Sequence, residues 1–267
     1  MLAQQRYAFI LEQLKQNEVV YSSALVSQLG VSSETVRKDL DVLEQAGRLV
    51  RIHGGAIPAE EKDAAQPEGG EYISFQMRDT QHREQKAAIA ARAARLIREG
   101  QVIALDYGST SQMMAQELKK HFKSLTVITN SVQNAMILSE CPDFTIIMTG
   151  GVFNKDEYTL VNDFTSTLDL LHIDIFFMTA TGVDPVIGCT DQRLAEARVQ
   201  NQMRRSASQT VVLADSSKFG RASLVKICSL REVSRIVTDC GLPPEMEKRI
   251  REKGVELILA SAEEGIQ

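Results

Sequence analysis

The chain has 267 residues, 43% of them hydrophobic, and a formal net charge of −5, which suits one small domain followed by a larger one with its own core. The acidic balance offers no general attraction to nucleic acid or anionic membranes. It contains neither a run of roughly 18 apolar residues nor a basic-then-apolar leader, so a membrane span is not expected and the cytoplasm is the expected location.

Tyr7, Ile10, Leu11 and Leu14 recur at helical spacing and predict a first helix to about Lys15. Val19 and Val20 suit a short strand. Ser22 or Ser23 is placed to cap a second helix with Leu25, Val26 and Leu29 inward, which Gly30 closes in the left-handed conformation. Ser32 is placed to cap a third helix with Val36, Leu40 and Leu43 inward, leaving Glu34, Arg37, Lys38 and Asp41 outward. Gly47 stops it. Leu49, Val50 and Ile52 then read as extended, followed by a His53-Gly54-Gly55 turn flanked by Arg48 and Arg51.

Two helices joined by a tight turn, the second carrying polar and cationic side chains near its N-terminal end, form the helix-turn-helix arrangement that enters a major groove. Arg37 is the first candidate for a base contact, because its planar fork can donate twice to guanine; such a pair discriminates by roughly 1–3 kcal/mol. Lys38 suits a phosphate. Gly54 and Gly55 would let the backbone approach the sugar-phosphate surface. Residues 1–58 hold six basic and six acidic residues, yet four of the basic ones fall between Arg37 and Arg51, so any positive surface is local and dimerisation is needed for useful affinity. Taken alone, these residues also fit a three-helix packing unit with solvated outer charges.

Residues 59–73 lack apolar periodicity and hold a proline, a glycine pair and several acids, as a solvated linker would. The expected division is therefore a DNA-binding domain over 1–58, the linker over 59–73 and a second domain over 74–267. An alanine-rich helix is predicted over 83–98, ending at Gly100, and a helix through Leu118 follows residues 106–111. β-rich runs lie at 102–105, 125–129, 144–148, 173–178, 210–214, 235–238 and 255–259. Their alternation with helices predicts an α/β fold with a mostly parallel sheet, whose ligands gather at the carboxyl ends of strands. Those ends carry Asp106, Gly108, Ser109, Thr110 and Ser111; Thr129, Asn130 and Ser131; Thr149, Gly150 and Gly151; Thr181 to Asp184; and Asp215 to Lys218. Hydroxyl residues and glycine at such turns suit an anion, the carboxylates and Asn130 suit sugar hydroxyls, and Lys86 and Lys218 can add positive charge.

The segment over 6–58 resembles the N-terminal domain of the DeoR family of bacterial transcription regulators. Val31-Ser32-Ser33-Glu34-Thr35-Val36-Arg37-Lys38-Asp39-Leu40 matches the recognition-helix signature, with Lys38 where arginine is commoner, and Arg51-Ile52-His53-Gly54-Gly55-Ala56 matches the wing. The resemblance supports DNA contacts from Ser32, Ser33, Glu34, Thr35, Arg37, Lys38, Arg48, Arg51, His53, Gly54 and Gly55. From about 75 to 253 the chain resembles the family's sensor domain, which is similar in fold to ribose-5-phosphate isomerase. That implies a phosphorylated sugar as effector, held by Asp106, Gly108, Ser109, Thr110, Ser111, Thr129, Asn130, Ser131, Gly150, Gly151, Asp184 and Lys218. A glycine usual in the family is replaced here at Val161 or Asn162.

Cys141, Cys189, Cys228 and Cys240 show no CxxC spacing and no histidine at ligand spacing, so they read as reduced thiols, with no metal and no cofactor expected. There is no Walker loop, GxGxxG, GxSxG or HExxH, hence no footing for the common nucleotide and hydrolase chemistries. The expected function is a homo-oligomeric repressor of a sugar-utilisation operon that responds to a sugar phosphate. The competing readings are a sugar-phosphate isomerase with Asp184 or Glu196 as base, and an architectural DNA protein without a ligand.

Overall fold

The computed structural model describes residues 3–17, 19–45, 48–52, 54–58, 75–161 and 168–261. The chain divides into two compact units, Met1–Glu71 and Tyr72–Gln267. The linker expected over 59–73, and the expected roles of Gly47, His53 and Asn162, fall outside the described residues.

In the first unit, helices α1 (Ala3–Gln16), α2 (Ser22–Leu29) and α3 (Ser33–Gln45) accompany strands β1 (Val20–Tyr21), β2 (Leu49–Ile52) and β3 (Gly55–Pro58). Ile10, Leu14, Leu25, Leu29, Val36, Leu40, Leu43, Leu49 and Ala56 form one buried cluster, the inward faces that the periodicity predicts. Gly30 closes α2 at φ 63°, its N–H bonded to the Val26 carbonyl. Neither serine caps α2. Its N-cap is the extended Tyr21, and the Ser22 N–H is instead taken by the Gly54 carbonyl at 2.6 Å, so strand pairing satisfies the helix start. Ser32 does cap α3, its Oγ accepting from Thr35 N at 3.2 Å.

The wing is the antiparallel pair β2/β3, with Ile52 opposite Gly55, and β1 adds to its other edge, with Tyr21 opposite Gly55. A Cβ at Gly55 would lie 2.0 Å from the Val20 carbonyl oxygen. Gly55 is buried beneath β1, so the glycine serves strand packing, which replaces the expected approach to a nucleic-acid backbone.

The second unit centres on a seven-stranded sheet of order β15-β14-β12-β9-β4-β5-β6, from β4 (Val102–Leu105), β5 (Thr126–Thr129), β6 (Thr145–Met148), β9 (Ile173–Thr179), β12 (Ala207–Leu213), β14 (Arg235–Asp239) and β15 (Glu256–Ala260). Every pairing within it is parallel. Alternate residues feed opposite faces. Ile175 and Phe177 pack with α5 (Arg83–Ala94) and α6 (Ser109–His121), while Phe176 and Met178 pack with α8 (Leu194–Ser206) and α9 (Pro244–Arg251). Helix α5 stops at Ala94, short of the expected Arg98, because Leu96 and Ile97 turn back onto the carbonyls of Ala93 and Ala94 in tighter three-residue bonds. Helices α4 (Phe75–Thr80) and α7 (Val132–Leu138) complete the helical set used below.

Two antiparallel additions are absent from the sequence reading. One is the hairpin β7 (Val152–Asn154) with β8 (Thr159–Val161). The other is a three-stranded sheet of β10 (Gly182–Asp184), β11 (Gly188–Asp191) and β13 (Val225–Cys228). None of the helices among the described residues is long and apolar enough to cross a membrane.

Gly55→Ala should lower the stability of the first unit by about 1–3 kcal/mol, since the new methyl overlaps backbone that cannot withdraw without breaking the β1/β3 pairing. Chemical denaturation followed by circular dichroism reads this directly, and an unchanged midpoint would contradict the packing described.

Candidate functional sites

On α3 the side chains of Glu34, Arg37 and Lys38 are 64%, 70% and 74% exposed, with Arg37 and Lys38 each 3.9 Å from the Glu34 carboxylate. At that exposure such pairs hold little energy, so both cations can leave Glu34 for another anion. Ser32, Ser33 and Arg48 are also exposed, and Thr35 is half-buried. The opposite side of α3 is fixed by Asp39, 3% exposed, which takes the Arg6 guanidinium in two bonds of 2.5 and 2.8 Å. This clamp between α1 and α3 was not read from the sequence, because Arg6 and Asp39 are distant along the chain.

Arg51 departs from its expected role. Its guanidinium donates through Nη1 to Asp41 and to the Arg37 carbonyl at 3.2 Å, and its backbone N–H donates to Glu44 at 2.9 Å, so it braces the wing against α3. Gly54 is exposed at φ 85°.

In the second unit a cleft partly open to solvent lies at the carboxyl ends of β4, β9 and β12. Strand β4 is followed outward by β5 and β6 on one side and by β9, β12, β14 and β15 on the other. The cleft therefore sits at the topological switch point, where helix N-termini splay apart. It brings together Lys86, Gly108, Ser109, Thr110 and Lys218 from the expected set. It includes Thr181 and Asp215 from the polar strand ends, and adds Arg78, Gln81, His82, Tyr107, Thr179 and Asp191, to which the sequence reading gave no ligand role.

Gly108 is the N-cap of α6 at φ 114°, and a Cβ there would meet Thr179 Oγ1 at 3.3 Å. The start of α6 thus presents backbone N–H groups and the positive end of its dipole to the cleft. Lys86 is only 4% exposed, and its ammonium donates to the carbonyls of Arg78 and Gln81 at the end of α4, the latter at 2.6 Å. Burial lowers its pKa to about 8; Asp215 opposes the shift, while Lys218 and Arg78 add to it. Burial likewise lowers Lys218, against the pull of Asp215. Arg78 pairs with Glu157, a residue 1% exposed in the β7–β8 turn. On the far wall the Tyr107 hydroxyl donates to both Asp191 oxygens at 2.9 and 3.0 Å.

Several expected ligand residues do other work. Asp106 is fully buried, and its Oδ2 accepts from Thr179 N, Thr179 Oγ1 and Gln200 Nε2, so it joins β4, β9 and α8 beneath the cleft. Burial raises its pKa to about 8 despite those donors. Ser111 donates to the Asp106 carbonyl and accepts from Asn134. Thr129 accepts from Ser131 N, and Ser131 caps α7. Asp184 accepts from Val186 and Ile187 N–H at 2.7 and 2.9 Å, which makes it the turn residue of the β10/β11 hairpin. Glu196 accepts from Asn154 and Thr159, anchoring the other hairpin. Gly150 and Gly151 turn the chain after β6 with φ 76° and 110° and do not line the cleft. Val161 is buried in the core at 5%, away from the cleft lining. Asn130 is wholly buried, yet its side-chain nitrogen and oxygen make no hydrogen bond to protein, nor does Thr149 Oγ1 on the neighbouring strand end.

Residues 6–62 match the DeoR-like helix-turn-helix domain and residues 81–240 the DeoR C terminal sensor domain. The chain is 31% identical to a putative aga operon transcriptional repressor of Escherichia coli O157:H7, over 94% of this chain and 91% of that one. It is 32% identical to the L-fucose operon activator of Escherichia coli K12, over 88% and 94%. Among solved structures, ribose 5 phosphate isomerase A from Neisseria gonorrhoeae aligns with 50% of this chain and 52% of its own at 16% identity and a TM-score of 0.39. With both halves of the family architecture matched and full-length relatives named as regulators, the chain belongs to the DeoR family of DNA-binding transcription regulators and is not an enzyme.

Proposed function

We propose that this regulator represses a sugar-utilisation operon by seating α3 and its wing on operator half-sites as a homo-oligomer in the cytoplasm, and that a phosphorylated sugar bound in the cleft weakens that grip. The observation that carries the ligand class is the convergence of Lys86, Lys218 and the start of α6 on one switch-point cleft. One buried and one half-buried ammonium group, both with lowered pKa, favour a dianion that stabilises their charged form. The relatives named for the aga and L-fucose operons support a carbohydrate, one as a repressor and one as an activator.

In this reading Gly108, Ser109 and Thr110 supply phosphate donors, and Asp191 and Asp215 face sugar hydroxyls. Lys86 holds the last carbonyls of α4, the first described element after residues 59–74, so an anion engaging its ammonium acts on that helix as well. A differential affinity of about 1–3 kcal/mol between two arrangements would change operator affinity roughly 5- to 150-fold. Selecting genomic fragments with the full chain, then releasing them with a panel of phosphorylated sugars, tests the whole reading; fragments retained without preference, or indifferent to every sugar phosphate, would refute it.

On the head, the exposed Arg37 is proposed to read a base and Lys38 a phosphate. Arg37→Ala should lose about 1–3 kcal/mol and relax discrimination at one base pair, whereas Lys38→Ala should weaken all sequences alike and lower the salt dependence by about one unit. Competition binding at several salt concentrations separates the two.

Lys86 also sets a pH dependence. Its folded pKa lies near 8, below its ordinary 10.5, so the unliganded fold gains stability as pH rises from about 8 towards 10.5. Anion binding runs the other way, because it requires the charged form. Between about pH 8 and 10, where inorganic phosphate is already a dianion, its affinity should fall with rising pH by at most about tenfold per unit, with proton uptake on binding near the lower end. Calorimetry in buffers of different ionisation enthalpy measures both, and Lys86→Gln should flatten the profile.

A further inference from the structure

Nothing in the spacing of the four cysteines links them, but the second antiparallel sheet does. Cys189 on β11 and Cys228 on β13 are direct register partners, 0% and 3% exposed within one core cluster. Residues so opposed in a regular ladder project to the same face with Cβ atoms about 4.5–5.5 Å apart, near the roughly 3.5–4.5 Å that a disulfide needs, and here the register slips just beyond the pair, between Cys189 and Thr190. The strands are pressed together at this point: a Cβ on Gly188 would lie 2.1 Å from the Cys228 carbonyl oxygen. The neighbouring thiol and burial raise Cys189, whereas the same neighbour, with Arg204 and Lys226, lowers Cys228 against its burial, so Cys228 is the better nucleophile. Strand β13 is the edge of its sheet, so an opening confined to that edge is the route by which a small oxidant reaches Cys228.

We propose that Cys189 and Cys228 are a modification site that closes to a reversible cross-strand disulfide under peroxide. The Cys228 thiolate attacks one peroxide oxygen; an S–O bond forms, the O–O bond breaks, and the departing hydroxide takes a proton to become water. Cys189, losing its proton, then attacks the Cys228 sulfur; the S–S bond forms, the S–O bond breaks, and a second water leaves. Two thiols give up two electrons and one peroxide becomes two waters. A small thiol such as glutathione reverses the link by exchange, and is itself oxidised to its disulfide. The link fixes β11 two residues before Asp191, whose carboxylate holds Tyr107 at the cleft wall.

The test treats the full chain with hydrogen peroxide at neutral pH, alkylates the remaining thiols after unfolding, and digests without reduction. The expected product is one intrachain peptide pair joining Cys189 to Cys228 with the loss of two hydrogen masses, cleared by glutathione, and a Tm several degrees higher before that reduction than after it. Cys228→Ser should abolish the product. Because a buried substitution can itself unfold the chain, a Cys141→Ser, Cys240→Ser double variant, which keeps the pair, must still form the link. Recovery of Cys189 and Cys228 both alkylated, a link through Cys141 or Cys240 in its place, or links only between chains would each overturn the proposal.

Discussion

The carboxylate of Asp106 ends β4 without any solvent contact, and one of its oxygens takes three donors, from the Thr179 backbone, the Thr179 hydroxyl and Gln200. That junction ties β4 to β9 and both to α8 at the point where the sheet changes direction. Its backbone carbonyl also receives Ser111 and Asn134, which anchor the beginnings of α6 and α7. The turn carrying Gly108, Ser109 and Thr110 is therefore held from below, and the cleft above inherits its shape from a group that does not line it. Unpairing such a buried acid costs far more than its solvated equivalent, so the junction is fixed whether or not the cleft is filled.

Much of this architecture is legible in the residues. Apolar runs such as those ending at Leu105 and Thr129 have only one comfortable place, a strand covered on both faces, and the structure puts them there within a residue or two. The inward faces of α1 to α3 follow from spacing alone. What could not be read are contacts between distant segments: Arg6 with Asp39, Arg78 with Glu157, Tyr107 with Asp191. The strands β7, β8, β10 and β11 are three or four residues long, too short for a period to emerge.

The same reasoning explains where polar residues at strand ends divide. Asp184 looks like a ligand in sequence because it follows Thr181 and Gly182, yet two backbone N–H groups of its own turn consume its carboxylate. Lys86, in contrast, resembles any helix lysine, and only its burial against α4 carbonyls sets it apart. On the head, Arg51 and Arg37 are equivalent as letters, but one braces the wing and the other is exposed with only a loose partner in Glu34.

The crowding of Gly108 against Thr179 has a further bearing on how such a sensor could diversify. Because the backbone there is left-handed in sense and any side chain would press on a neighbouring strand, the loop at the start of α6 is pinned by the protein's interior. Under the function proposed above, changes of taste for one carbohydrate over another would then be written along the rim, at positions such as Gln81, His82 and Thr181, above a shared floor.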